Sequence, residues 1–465
     1  MHPLVRLPTL LIYNAEGPRR LWSQARQVPC PGLARDLPLI RNVLVVGRGV
    51  LTRVMLSVAG ALALAVGCAH VNADLKQLPA VELGEPAFYP TLQAYAGAPI
   101  VGGNKVELLL NGEQIFPSLL EAIRGARTSI TYAQYFFEEG PVCDDVIDAL
   151  AERCRAGVPV HVLLDGVGTL TMPSRYTNTL REAGCEVRTF RAVRPWALRR
   201  ANNRNHRRIL VVDGRIGFTG GSGVSRKWMG DGRTADHWRD TDIRVEGPAV
   251  EWMQAAFIEN WREAAGQALG GDVYFPRPQP PRGSVPVQVV RSSPEGGSSA
   301  MYGTLLIALN AARRSVRITN PYFLLDDAMM QAMLERVRRG VTVQVLVPGT
   351  IDHAIVRQAS RATWGPLLQA GVKIYEYHPA LLHAKTMVID GRWATVGSTN
   401  LDPRSFALSQ ELNVVVYDRQ IAGALEDAFA ADLEHATQID YEAWRRRGVR
   451  ARLFELLVWP VREML

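Results

Sequence analysis

The 465-residue chain is predicted to be an α/β protein built from two homologous halves, each a sheet covered by helices. Two observations predict this. A series of five segments occurs twice in the same order, and each series alternates amphipathic helical stretches with short β-branched runs. With 47% hydrophobic and 21% charged residues, the chain is globular rather than disordered, and its length suits two to three domains.

The first 68 residues are expected to form a targeting region. Residues 1 to about 40 are rich in Arg and Pro without periodicity. Residues 54–67 (VMLSVAGALALAVG) are an uncharged apolar run between Arg53 and Cys68. As a helix, fourteen residues span about 21 Å, short of the ~30 Å hydrocarbon core, so a secretory segment fits better than a spanning helix. Val66-Gly67-Cys68 is similar to a lipoprotein cleavage site, making Cys68 a lipidation candidate, although Ala65 stands where that pattern prefers Leu. An uncleaved membrane anchor is the other reading.

The first half is placed at 69–275. SLLEAIRGARTSITYAQYFF is followed by a helical stretch, AGVPVHVLLDG, LREAGCEVRTF and NHRRILVVDGRIGFTGG. Helices are predicted over Leu119 to Arg124 and Asp145 to Arg155, and strands over Val158 to Leu164 and Ile209 to Val212. PRPQPPRGSVP (276–286) is a linker by composition. The second half, 287–440, repeats the series as TLLIALNAARRSVRITNPYF, a helical stretch, RGVTVQVLVPG, LLQAGVKIYEY and LLHAKTMVIDGRWATVGS. Residues 441–465 form a basic and apolar C-terminal segment, with five arginines from Arg445 to Arg452 ahead of Leu453, Phe454, Leu456, Leu457, Val458 and Trp459. That segment suits the headgroup boundary of an anionic bilayer, or a terminal helix docked on the domain.

The net charge of +8 is unevenly placed. Eight Arg face only Glu16 and Asp36 before Cys68, a net of +6, leaving 45 basic and 43 acidic residues beyond it, a net of +2. A nearly neutral body argues against nucleic acid as a partner. A basic strip from Ala197 to Arg208 could guide an anionic headgroup or be a solvated loop. The five cysteines form no CxxC pair and no Cys/His cluster with zinc spacing, so no metal site is expected of them. Cys143 and Cys154 fall in one helical stretch and are expected as small buried side chains.

Both copies end in the same polar constellation, with His206 and His383 177 residues apart. The second reads His383-Ala384-Lys385, four residues, Asp390, then Gly397-Ser398-Thr399-Asn400. The flanking residues are strand-like, so alternation puts His383 and Lys385 on one side of the chain. A neutral imidazole and an ammonium facing one spot suit a phosphodiester: the cation neutralises phosphoryl oxygens while the imidazole attacks phosphorus or passes a proton. Asn400 and the Gly397 backbone are candidate donors to phosphate. In the first copy Arg208 stands in the Lys position and Gly223 in the Asn position, and Arg keeps the charge with a different shape.

These segments resemble the phospholipase D superfamily, whose signature is HxKxxxxD followed by Gly and Asn in each half. HAKTMVIDGRWATVGSTNLDPRSFALSQELNVVVYD and HWRDTDIRVEGPAV are similar to the bacterial cardiolipin synthase branch. The resemblance runs from about residue 95 to the end. It implies two phospholipase D-like halves with mixed sheets around a pseudo-twofold axis, two histidines facing one cleft, and neither metal nor organic cofactor. Carried over, His206 is the nucleophile and His383 the general acid/base, with the reverse assignment open, while Lys385 and Arg208 clamp phosphate. Asp240 and Glu411, with Ser398 nearby, would form the second shell in which a carboxylate takes the imidazole's other N–H. Asp213 and Asp390 complete the motifs and are expected to tie down the turn after each strand.

The activity implied is phosphatidyl transfer through a phosphohistidine onto phosphatidylglycerol, with phosphatidylglycerol or phosphatidylethanolamine as donor, at a bacterial membrane. The alternatives are hydrolysis by the same machinery and a catalytically impaired lipid-binding paralogue raised by Arg208 and Gly223. The sequence carries no signal of oligomeric state.

Overall fold

Short β-branched runs form the strands, and the repeat in sequence becomes a repeat in topology. The first half supplies β1 (Ile100–Leu110), β2 (Ile130–Gln134), β3 (Val160–Asp165), β4 (Glu186–Phe190), β5 (Ile209–Val212), β6 (Ile216–Gly220) and β7 (Thr241–Glu246). The second supplies β8 (Val285–Ser292), β9 (Ser315–Thr319), β10 (Thr342–Pro348), β11 (Lys373–Tyr377), β12 (Thr386–Ile389), β13 (Trp393–Gly397), β14 (Glu411–Val416) and β15 (Ala436–Gln438). The computed structural model describes residues 78–193, 202–293, 299–352, 354–448 and 452. The expected targeting region with Cys68, the start of the basic strip (197–201) and nearly all of the C-terminal segment beyond residue 448 lie outside the described residues.

All these strands join in one sheet, ordered β4-β3-β2-β5-β6-β7-β1-β8-β14-β13-β12-β9-β10-β11-β15. The order around β1 and β8 is the same read outward in either direction, β15 being an addition at one edge. The two central strands pair antiparallel, Ile100 against Gln288 and Val101 against Val287. The pseudo-twofold axis therefore passes between them. β2-β3-β4 and β9-β10-β11 run parallel, and the remaining pairs antiparallel, so the sheet is mixed. β3 is buried at all six positions, as expected for a parallel strand covered on both faces.

Helices close both faces. Those over Asn111–Gly125 and Pro141–Arg155 cover the first half. Ala300–Asn310 and Asp327–Arg338 cover the second, the latter capped by the Asp326 carboxylate on the Met329 N–H at 2.9 Å. A third cluster belongs to both halves: Val250–Ala265 and Arg419–Leu433 pack across β5, β7, β8, β12, β13 and β14. Separating the halves would expose this apolar face, so they fold as one body.

One cysteine expectation is corrected. Cys143 is a free buried thiol, as its helix position suggests, but Cys154 is disulfide-bonded to Cys185, with Cα atoms 5.5 Å apart. The bond ties the end of helix Pro141–Arg155 to the turn before β4. Because the pair is 31 residues apart in sequence and the contact is tertiary, helical periodicity could not reveal it.

Candidate active site

Each motif strand is held at its far end by an Asp-Gly turn. Asp213 and Gly214, and likewise Asp390 and Gly391, have positive φ (54° and 60°, 54° and 61°), and the turns close through Arg215 N–H to Val212 O at 2.9 Å and Arg392 N–H to Ile389 O at 3.1 Å. This is the hairpin turn that Asp-Gly favours. The Asp213 carboxylate accepts the backbone N–H groups of Arg127, Thr128 and Ser129; Asp390 accepts those of Arg313, Arg314 and Ser315 at 2.7–2.9 Å. Motif spacing groups both aspartates with the catalytic residues, but they line no part of the cleft. Each lies seven steps along an extended chain from its histidine, about 23 Å. Asp390→Ala leaves three N–H groups at a part-buried site without their acceptor and is expected to destabilise the fold by about 1–3 kcal/mol, read as a lower urea midpoint.

At the other end of these strands the halves exchange partners. The His206 N–H donates to Gln410 O at 3.0 Å, and the His383 N–H donates to Arg239 O at 2.7 Å. The residue after each carbonyl is a carboxylate: His206 Nδ1 lies 2.9 Å from Glu411 Oε1, and His383 Nδ1 lies 2.8 Å from Asp240 Oδ2. Each imidazole is thus oriented by the other half. Ser398 Oγ donates to Glu411, while Trp228 Nε1 donates to Asp240 Oδ2 at 2.8 Å and the Thr241 N–H to Oδ1 at 2.8 Å. With Nδ1–H given to a carboxylate, Nε2 of each ring is the acceptor turned to the cleft.

Burial dominates the electrostatics. It lowers His206 and His383 to about 4 against the pull of their carboxylates, so both rings are neutral at pH 7 in the unliganded protein. Burial alone would raise Asp240, but the hydrogen bond and charge of His383, with Lys385 beside it, bring it down to about 2. Burial also lowers Lys385 to about 7. Its Nζ lies 2.9 Å and 3.0 Å from the two ring nitrogens of His383.

The first half departs from the second in a coordinated way. Arg208 Nη1 reaches His206 Nε2 at 3.2 Å, and its buried Nε has no hydrogen-bond partner, a donor that suits an anionic oxygen. Gly223 is not simply a missing amide: a Cβ there would sit 2.9 Å from the Trp228 ring and 3.1 Å from the Phe136 Cβ. The indole occupies that space and serves Asp240. Asp242, where the second half has Asn413, receives Ser222 Oγ at 2.6 Å and is raised to about 6 by burial and by the charge of Asp240.

His206, His383, Arg208 and Asn400 line one cleft of about 520 Å³, together with Tyr135, Trp228, Trp238, Tyr322, Asp402 and Arg404 among others. The Asn400 Oδ1 is buried and unpaired within the protein, an acceptor that suits a substrate hydroxyl, and only the Nδ2 group of the same amide can donate to a phosphoryl oxygen. Gly397 does not supply the donor anticipated for it. Its N–H goes to Lys385 O at 3.4 Å, and a Cβ would meet Leu412 O at 2.4 Å, so this glycine permits close strand approach. Sequence reasoning missed Trp228 and Asp402. The only available signal for Trp228 was the glycine pair Gly221 and Gly223, standing where the other half has Ser398 and Asn400. Asp402 caps helix Pro403–Ala407 through the Ser405 N–H at 2.7 Å, and burial raises its carboxyl to about 7.

The family described as "Cardiolipin synthase, PLD-like domain" matches residues 119–261 and 305–433, more than half of the chain. The chain is 34% identical over 385 residues to cardiolipin synthase 1 of Bacillus anthracis, covering 81% of this chain and 76% of that one. It is 33% identical over 391 residues to cardiolipin synthase 1 of Bacillus cereus, covering 82% and 77%. Among solved structures, phosphatidylserine synthase of Haemophilus influenzae has the same fold, with a TM-score of 0.61 at 13% identity, covering 81% of this chain and 99% of that one.

Proposed function

Because the chain belongs to the cardiolipin synthase family with phospholipase D-like domains, we propose that it is a phosphatidyltransferase that makes cardiolipin on phosphatidylglycerol. The observation that carries this is the pair of imidazoles lining one cleft, each held by a carboxylate of the opposite half. His206 Nε2 attacks the donor phosphorus; a P–N bond forms as the P–O bond to the headgroup alcohol breaks. His383, protonated once the anionic phosphodiester sits beside it and Asp240 compensates its charge, gives the leaving oxygen its proton. It then takes the proton of the terminal hydroxyl of phosphatidylglycerol, which attacks phosphorus and releases His206. Lys385, Arg208 and Asn400 meet the phosphoryl oxygens. Phosphatidylglycerol is the donor of first choice, phosphatidylethanolamine the second.

The test uses the purified full chain with phosphatidylglycerol labelled in its headgroup glycerol and acyl chains. Transfer yields cardiolipin and free glycerol. Phosphatidic acid without cardiolipin would make the enzyme a hydrolase, and no product would leave only lipid binding.

The protein is proposed to act on the extracytoplasmic side of the membrane. The signal-like segment before Cys68 and the Cys154–Cys185 bond both suit an oxidising compartment. Among the described residues no helix is long and apolar enough to cross a membrane. Alkylation of unfolded, unreduced protein from cells is expected to modify Cys143 but neither Cys154 nor Cys185. Mass spectrometry showing all three alkylated would place the domain in a reducing compartment.

A further inference from the structure

We propose that the mouth of the cleft is itself a membrane-contact surface, with Leu170 and Ile355 seated in the lipid interface during turnover. This rests on the phospholipid reading above. A cleft of about 520 Å³ takes a headgroup and phosphodiester, but not two long acyl chains as well. The chains have to stay in the bilayer, because each methylene drawn into water lowers occupancy roughly fourfold, or about 10⁶-fold for ten. The rim of the cleft must therefore meet the lipid surface.

The fold brings exposed aliphatic side chains to that rim from both halves. β3 and β10 are equivalent strands, and the segments leaving their C-terminal ends border the cleft through Val167, Thr171 and Val356. Next to these lining residues stand Leu170, 67% exposed, and Ile355, 49% exposed. Val193, 46% exposed, lies just beyond the C-terminal end of β4 on the same sheet edge. A lone exposed leucine means nothing, but here aliphatic side chains gather at the one edge where the substrate's chains must emerge. The other large exposed aliphatic among the described residues is Val273, 42% exposed. Its carbonyl accepts from Ser129 Oγ, just before β2 begins, at the end of the sheet opposite the cleft.

The experiment compares the full chain, its Leu170→Glu/Ile355→Glu variant and a Val273→Glu control on two substrates. These are long-chain phosphatidylglycerol in vesicles and dihexanoyl phosphatidylglycerol as dissolved monomers. Leu170 lies in an exposed turn, and Glu at position 355 falls in the first turn of helix Ala354–Ala370, where a carboxylate is favourable, so folding is preserved. Vesicle turnover is expected to fall at least tenfold in the double variant, with monomer turnover within twofold of wild type and the control unchanged on both. Retained vesicle turnover overturns the proposal, as does an equal loss on both substrates or an equal loss in the control. A wild-type chain that turns over neither substrate defeats the phospholipid reading and this surface with it.

Discussion

Alanine at His206 or at His383 is expected to lower phosphatidyl transfer by about 10⁴-fold or more. In the proposed mechanism the two rings act in sequence on one phosphorus, so the double variant should be little worse than either single one. Their roles differ in what accumulates. With His383→Ala, the attacking ring and its Glu411 partner remain, and a labelled phosphatidyl donor with a good leaving group should leave an acid-labile adduct on His206. With His206→Ala no adduct should form. Label trapped on His383 instead would exchange the roles, and near-normal turnover in either single variant would remove the two-histidine site altogether.

Asp240→Asn is expected to cost about 10²–10³-fold in kcat/KM and to reshape the pH profile. The carboxylate, held at about 2, is charged across the working range. It orients His383 and opposes the burial that lowers Lys385 to about 7. In the proposed mechanism the cationic form of Lys385 is the one that meets phosphate. It is present below its pKa and lost above it, so kcat/KM of the wild type should fall as pH rises through about 7. A bound phosphodiester favours the ammonium, so the fall in kcat should come at higher pH. Without the Asp240 charge, burial lowers Lys385 further and the alkaline limb moves to more acidic pH. Initial rates from pH 5 to 9 check this. An unmoved limb would show that Asp240 does no more than position the ring.

The two-half architecture was legible because repetition survives in apolar pattern and turn residues: AGVPVHVLLDG and RGVTVQVLVPG became the parallel strands β3 and β10. The histidines were legible for the same reason, since a motif met twice at matching points is rarely accidental. What spacing could not separate was chemistry from scaffolding. Asp213 and Asp390 belong to the motif because a two-residue turn needs Asp-Gly and three nearby N–H groups need an acceptor. Gly397 belongs to it because strands meet closely there. Trp228 lay outside any motif, since an indole twelve residues from Asp240 declares no hydrogen bond until the loop between them folds back. The Cys154–Cys185 bond was hidden likewise, its partners joined only when helix and strand pack together.

The exchanged carboxylates carry an evolutionary corollary. Half of this chain on its own would hold a histidine without its acid and an acid without its histidine, so a single-copy ancestor could have worked only as a homodimer. Fusing two copies lifted the constraint of identity. Once joined, one arm could keep lysine, asparagine and serine while the other took arginine, glycine and an indole, an asymmetry no symmetric pair can acquire. Any change in one arm is nevertheless answered at the histidine of its sibling.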